Sequence, residues 1–221
     1  MPGWLIVGLA VFVLLIVYSI WRGAVRLKRA EFIRTFSLPQ GLYDKLRARR
    51  PQLSLRDCSL VGRALRQFFL AYLNSGRRFV AMPSQAADDL WHEFILYTRD
   101  YQRFCGQAFG GFLHHTPAVV LGSGKQTNEG LRRVWWHACK DENIDPKKAL
   151  RLPLIFALDA KLNIDGGFRY APDCRRLAPD AQAGTHCGGD FSSISIDGTL
   201  DGFGDGSSDG GDGGGGCGGG D

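Results

Sequence analysis

An uncharged apolar stretch near the start of the chain constrains its architecture more than any other feature. Residues 4–21, WLIVGLAVFVLLIVYSIW, contain no Asp, Glu, Lys or Arg. Because an α-helix rises 1.5 Å per residue, a stretch of this length reaches about 27 Å, close to the hydrocarbon thickness of a bilayer. The sequence therefore predicts that residues 1–22 are a single transmembrane anchor, which contacts the lipid bilayer through residues 4–21.

The charges that flank this stretch predict its orientation. No Lys or Arg precedes it, whereas four basic residues follow it closely: Arg22, Arg26, Lys28 and Arg29. Basic residues favour the cytoplasmic side, so we expect a single-pass protein of the cell inner membrane with its N-terminus outside and its C-terminal domain in the cytoplasm. The four basic side chains are then placed to bind anionic lipid head groups. The alternative is a secretory signal peptide, although that would carry its charge ahead of a shorter apolar core.

A cytoplasmic location decides how the cysteines are interpreted. In a reducing compartment they are expected to be thiols or metal ligands, and export of the domain would restore the disulfide interpretation. No CxxC pair occurs among the six, which are Cys58, Cys105, Cys139, Cys174, Cys187 and Cys217.

The end of the chain differs in composition from the rest. Residues 178–221 contain eight Asp and no basic residue, so they carry −8, and the residues before them carry +13 (27 basic minus 14 acidic). Sixteen of the thirty glycines lie between Gly184 and Gly220. Such a segment buries too little apolar surface to offset its chain entropy, and we predict a disordered Gly/Asp-rich tail over 178–221. A Cys₃His zinc set of Cys174, His186, Cys187 and Cys217 matches no known zinc-finger spacing.

Helical periodicity dominates the segment between, residues 23–177. Apolar residues recur at spacings of four and three from Ser84 to Phe104, which predicts one long helix. Only Gly167–Tyr170 has extended character. Capping residues and prolines place the starts of the predicted helices near Leu42, at Ser54 or Asp57, at Ser84, at Thr127 or Asn128, and at Pro153. We therefore predict an all-α domain over 23–177.

The densest set of metal-ligating residue types lies between Asp88 and His115. On a helix, His92 lies one turn after Asp88, at the edge of the apolar face. Gly110-Gly111 allows the chain to turn back, so that His114 or His115 approaches His92. These histidines are therefore a candidate zinc site, in which Asp88 orients the imidazole of His92.

Three interpretations of this cluster stay open. Asp88 and His92 can form only a helix-start ion pair, with His114 and His115 capping a turn. They can instead hold a metal or a small ligand, or act as a catalytic acid–base pair. No complete catalytic signature occurs in the chain, so the sequence predicts neither catalytic residues nor a reaction.

A distinctive pattern runs through this region. It consists of Asp88-x-x-Trp91-His92, then Tyr101, Phe104-Cys105, Gly110 and Leu113-His114-His115-x-Pro117. The pattern resembles a segment of the glycine-rich domain-containing protein-like family, especially its uncharacterised bacterial members, and the similarity covers about residues 35 to 170. The resemblance implies that the helix and the Leu-His-His turn form one module, and it implies no settled enzymatic activity. Family members often carry W-H-x-H, whereas this chain has Phe94 at the second histidine position, which argues against a metal site built from two histidines of this helix.

The sequence thus favours a membrane-anchored protein whose cytoplasmic helical domain binds an unidentified protein partner. The alternative is a metal-binding domain, in one version metal-dependent and hydrolytic, that uses His92 with His114 or His115. A third class, nucleic-acid binding, would draw on the basic charge of the domain. That charge is spread over all its helices and contains no recognised motif, which argues against a nucleic-acid partner.

Overall fold

The computed structural model describes residues 3–115, 125–173 and 185–187, which form seven α-helices and two short strands. This confirms the predicted all-α class for the described part of the chain. The helices are α1 (Gly3–Thr35), α2 (Leu42–Arg49), α3 (Leu55–Asn74), α4 (Gln85–Leu96), α5 (Thr98–Phe109), α6 (Lys125–Asp141) and α7 (Leu154–Lys161). The strands β1 (Arg169–Ala171) and β2 (Thr185–Cys187) pair in parallel, with Tyr170 opposite His186. The prediction that the whole of 178–221 is disordered is wrong at β2, which pairs with β1, and the rest of that tail lies outside the described residues.

Helix α1 has two different halves within 33 unbroken residues. It is long and apolar enough to cross a membrane, and the most apolar part of the helix is not buried in the domain. Its last turns belong to the domain instead. Ala30 and Ile33 are buried in the core, and the ring of Phe32 packs 5.8 Å from that of Phe104. One helix therefore joins the predicted anchor to the core without an intervening linker.

Helix α3 lies at the centre of the domain and contacts α1, α2, α4, α6 and α7. It begins at a capping box, in which Ser54 Oγ accepts from the Asp57 N–H and the Asp57 carboxylate accepts from the Ser54 N–H. It ends where Gly76 adopts a left-handed conformation (φ +74°) and the Arg77 N–H donates to the Tyr72 carbonyl. These are standard start and stop signals, and the start agrees with the predicted cap at Ser54.

The predicted long helix from Ser84 to Phe104 is wrong in one respect, because it is two helices. The backbone leaves helical geometry at Tyr97 (ψ +61°), which ends α4 and starts α5. Periodicity did not reveal the break because apolar spacing continues through it, and Phe94 on α4 still packs edge-to-face on Tyr101 of α5 at 5.2 Å. Across this break, Trp91 Nε1 on α4 donates to the Tyr101 hydroxyl on α5.

Candidate metal centre

A buried carboxylate from α7 fixes the start of α4, the helix that carries Asp88 and His92. Asp159 is only 3% exposed, and its oxygens accept four hydrogen bonds of 2.6–3.2 Å. The donors are the Ser84 hydroxyl and the backbone N–H groups of Gln85, Ala86 and Phe168. The first N–H groups of a helix have no partner within the helix and favour negative charge, so this carboxylate anchors the helix end. The sequence predicted Ser84 as the cap but gave no sign of Asp159.

Two adjacent aspartates of α4 have different surroundings. The Asp89 carboxylate is buried and accepts from Arg50 Nε at 2.6 Å and from Arg49 Nη1 at 3.1 Å, which ties α4 to the end of α2. The Asp88 side chain is 22% exposed and faces the two histidines. Only Asp88 is therefore available to the candidate site.

Asp88, His92 and His115 converge on one point at the edge of α4. His115 Nε2 lies 2.8 Å from Asp88 Oδ1, and His92 Nδ1 lies 3.3 Å from Asp88 Oδ2. His92 Nδ1 is also 2.9 Å from the carbonyl oxygen of Asp88, and the two imidazole rings have centroids 4.2 Å apart. One ligand atom from each of the three residues lies within 4.8 Å of the other two. The predicted partners from the helix and from the Leu-His-His turn thus lie side by side.

A chain of buried hydrogen bonds holds the turn in this place. Trp91 Nε1 donates to the Tyr101 hydroxyl at 3.1 Å, and that hydroxyl donates to the Leu113 carbonyl at 2.6 Å. Burial raises the pKa of Tyr101, so its hydroxyl stays protonated as a donor. The His115 ring packs edge-on against Trp91 at 4.5 Å, and its side chain is only 11% exposed. Trp91 and Tyr101 therefore support the site rather than simply filling the core.

The structure places His114 apart from this cluster. Its side chain is exposed, and its ring packs on Phe112 at 4.8 Å. The turn begins at Gly110, which has φ +71° and lies so close to Arg29 that a Cβ there would come 2.4 Å from Arg29 Nη2. Of the two histidines that the sequence left open, His115 is the one brought to His92.

The other predicted ligands lie elsewhere in the described part of the chain. Cys58, Cys105 and Cys139 are buried free thiols. Burial raises the pKa of Cys105, and it raises that of Cys139 to about 12, which disfavours the thiolate that a metal requires. Cys174 and Cys217 lie outside the described residues, so the Cys₃His set stays a prediction.

The chemistry of Asp88, His92 and His115 fits a borderline-soft divalent cation. Imidazole nitrogen and carboxylate oxygen are common zinc ligands, and atoms bound about 2.0–2.2 Å from a tetrahedral ion lie about 3.3 Å from each other. The 3.3 Å between His92 Nδ1 and Asp88 Oδ2 matches that value, whereas the 2.8 Å between His115 Nε2 and Asp88 Oδ1 is a hydrogen-bond distance. The Asp88 carboxylate contacts both imidazoles, each through a different oxygen. The sequence had assigned it only the orientation of His92.

Comparison with known proteins shows the family of the chain. The model of the UCP032817-like family matches residues 28–191, which is 164 of the 221 residues, and the chain belongs to that family. No curated protein and no solved structure matches it. The match assigns no reaction, and the resemblance to the glycine-rich domain-containing protein-like family stays a prediction.

Proposed function

We propose that this UCP032817-like protein is a membrane-anchored domain that binds a divalent metal ion of the zinc class through Asp88, His92 and His115. The convergence of three ligand groups from two separate segments carries the proposal. The buried Tyr101–Leu113 hydrogen bond supports it, because it fixes the second segment independently of any ion. Three protein ligands leave one position of a tetrahedral ion open, as in zinc sites that hold a water or an external ligand.

The metal content of the purified full-length chain tests this proposal. The cysteines outside the cluster are first removed by Cys174→Ser, Cys187→Ser and Cys217→Ser, so that a second zinc set cannot contribute. In this background we expect about one zinc per chain by elemental analysis, and Co²⁺ in place of zinc should give visible absorption. His115→Gln and Asp88→Asn should each lower metal affinity by at least about tenfold, the range seen when metal-site partners are lost.

His114→Gln is the matched control, since His114 is the neighbour of His115 but its exposed ring lies on Phe112. It should retain the metal. The proposal is overturned if the background chain binds no stoichiometric metal, or if His115→Gln and His114→Gln bind it equally well. Binding of a protein partner by the domain is a separate prediction, which this experiment does not test.

We further propose that α1 spans the inner membrane once, with the N-terminus outside and the helical domain in the cytoplasm. Large apolar side chains of α1 support this: Trp4, Leu14 and Trp21 are each more than 60% exposed, and the domain does not cover them. The helix also continues unbroken to Thr35, without the extended small-residue segment expected at a signal cleavage site.

Reporter fusions after Asp221 and the mass of the mature chain test the topology together. A cytoplasmic reporter should be active, a periplasmic reporter should be silent, and the mature chain should retain residues 4–21. A periplasmic C-terminus, or a chain cleaved after the apolar segment, would contradict the proposal.

A further inference from the structure

Helices α3 and α5 both run antiparallel to the lower part of α1. On α3, Arg66 donates to the carbonyl of Phe36, which directly follows α1. Asn74 lies eight residues after Arg66 on α3, and it accepts from Arg26, which lies ten residues before Phe36. Along α5, Phe104 packs on Phe32, and the carbonyl of Phe109 accepts from Arg29 at 3.0 Å. The segment that follows α3 therefore extends back along α1, toward its apolar half, whereas the chain after α5 reverses at Gly110 and Phe112 packs on Tyr101 at the start of α5.

Helix geometry places the loop that follows α3 close to the bilayer surface. Arg26 lies five residues after Trp21, about 7.5 Å along the helix axis, and the head-group layer on each side of the hydrocarbon is about 5–7 Å thick. The Arg26 guanidinium donates to the side-chain oxygen and to the carbonyl oxygen of Asn74. The loop that follows Asn74 thus begins near the edge of the head groups and continues toward them.

Three arginines are used to hold this end of the domain together. Arg26 binds Asn74, and Arg29 and Arg77 both donate to the carbonyl of Phe109, each at 3.0 Å. The sequence had assigned Arg26 and Arg29 to lipid head groups, and the structure gives them an additional task. Docking by these bonds fixes the angle at which the domain leaves the membrane.

Other side chains at this end are exposed and not engaged in this way. Lys28 and Arg78 are exposed, and neither has a hydrogen bond or ion pair to the described residues. No acidic residue occurs in residues 22–30 or 74–80.

We propose that Arg78 and the juxtamembrane residues Arg22 and Lys28 form a membrane-facing surface of the domain that binds anionic phospholipid. The surface is continuous with α1, and its charge is complementary to an anionic leaflet. The inference rests on the proposed membrane span. It adds that the domain lies against the bilayer, rather than moving freely beneath it.

The full-length chain in lipid nanodiscs tests the surface. Amide hydrogen exchange of residues 75–80 is compared between discs of phosphatidylcholine alone and discs that also contain about one third phosphatidylglycerol. Exchange should be several-fold slower in the anionic discs. Arg78→Glu should abolish the difference. Arg56→Glu, an exposed arginine at the opposite end of α3, is the matched control and should preserve it.

The outcomes separate this inference from the proposed span. Extraction of the full-length chain from native membranes by alkaline carbonate would overturn both. A chain that resists extraction but exchanges equally fast in the two kinds of disc overturns only the membrane-facing surface. Equal slowing in wild type and in Arg78→Glu also overturns it, because the protection would then arise from other residues.

Discussion

The Tyr101 hydroxyl links the two segments of the candidate metal centre, and this makes it the most informative single atom to remove. Tyr101→Phe leaves the buried Leu113 carbonyl without this donor and Trp91 Nε1 without this acceptor. Leaving a buried polar group unsatisfied costs about 1–3 kcal/mol, so we expect the free energy of unfolding to fall by about that amount in a denaturant titration. Metal affinity should fall as well, because His115 follows Leu113 by two residues.

Tyr97→Phe is the control for this substitution. The Tyr97 hydroxyl makes only a long 3.5 Å contact to the exposed carbonyl of Gln40, so stability and metal affinity should be nearly unchanged. If the two variants behave alike, Tyr101 does not support the site.

His137 on α6 should make the stability of the domain depend on pH. Burial lowers the pKa of His137 to about 4, with further contributions from Arg26 and Lys140. In the unfolded chain the group titrates near its model value of 6.5, so between these values the unfolded state binds more protons than the folded state. The domain should therefore lose stability as the pH falls from 6.5 toward 4.

His137→Gln removes this titration, and its free energy of unfolding should change less across the same pH range. The difference from wild type should be on the order of 2–3 kcal/mol, since each unit of pKa difference is worth about 1.4 kcal/mol. Denaturant titrations at several pH values measure it, with the exposed His114→Gln as the control. If the free energy of unfolding changes with pH in the same way in wild type and in His137→Gln, His137 does not cause the pH dependence.

At the level of helices, Asp159 has the largest role that the sequence did not reveal. Asp159→Asn removes the charge and replaces one acceptor oxygen with a donor at the start of α4. Hydrogen bonds to a charged group are worth about 1.5–3 kcal/mol each, and we expect a total loss of at least that size in the free energy of unfolding. Asp165→Asn, an exposed aspartate six residues later, should be nearly neutral.

Helix ends that depend on local signals could be predicted, and those that depend on distant partners could not. Ser54 with Asp57, and Gly76 at the end of α3, are recognisable because the residues that satisfy the helix ends are adjacent in sequence. The break at Tyr97 was missed because the apolar spacing does not change there. Asp159 was missed because its partners at the start of α4, Ser84, Gln85 and Ala86, lie more than seventy residues away.

At the scale of the whole molecule, the candidate site shows the same division. The sequence brought His92 and the Leu-His-His turn together, since glycines reverse the chain between them. It left His114 and His115 equivalent, because the choice depends on the Tyr101–Leu113 hydrogen bond and on the packing of His115 against Trp91. Both are contacts of the turn with residues on α5 and α4, so they depend on how these elements pack together.

Helix α1 is both the proposed membrane anchor and a part of the core, and its contribution to the core can be measured directly. Ile33 is fully buried and Phe36 packs on Phe94 and Phe104, so the end of the helix completes the core. Ile33→Ala should lower the free energy of unfolding by about 2–5 kcal/mol, the usual cost of such a cavity. Leu27→Ala on the same helix is the control: its side chain is 73% exposed, and the substitution should leave the domain stable.

Truncation extends this prediction to the whole helix. A chain that begins at residue 23 lacks the apolar half of α1 but retains the contacts of Arg26, Arg29 and Ile33, and it should unfold cooperatively, as measured by circular dichroism. A chain that begins at residue 37 loses these contacts together with the Phe36 ring. It should be aggregated or largely unfolded, because the exposed faces of α3 and α5 have lost the helix that covers them. Equal stability of the two fragments would show that α1 is only an anchor and that the core is complete without it.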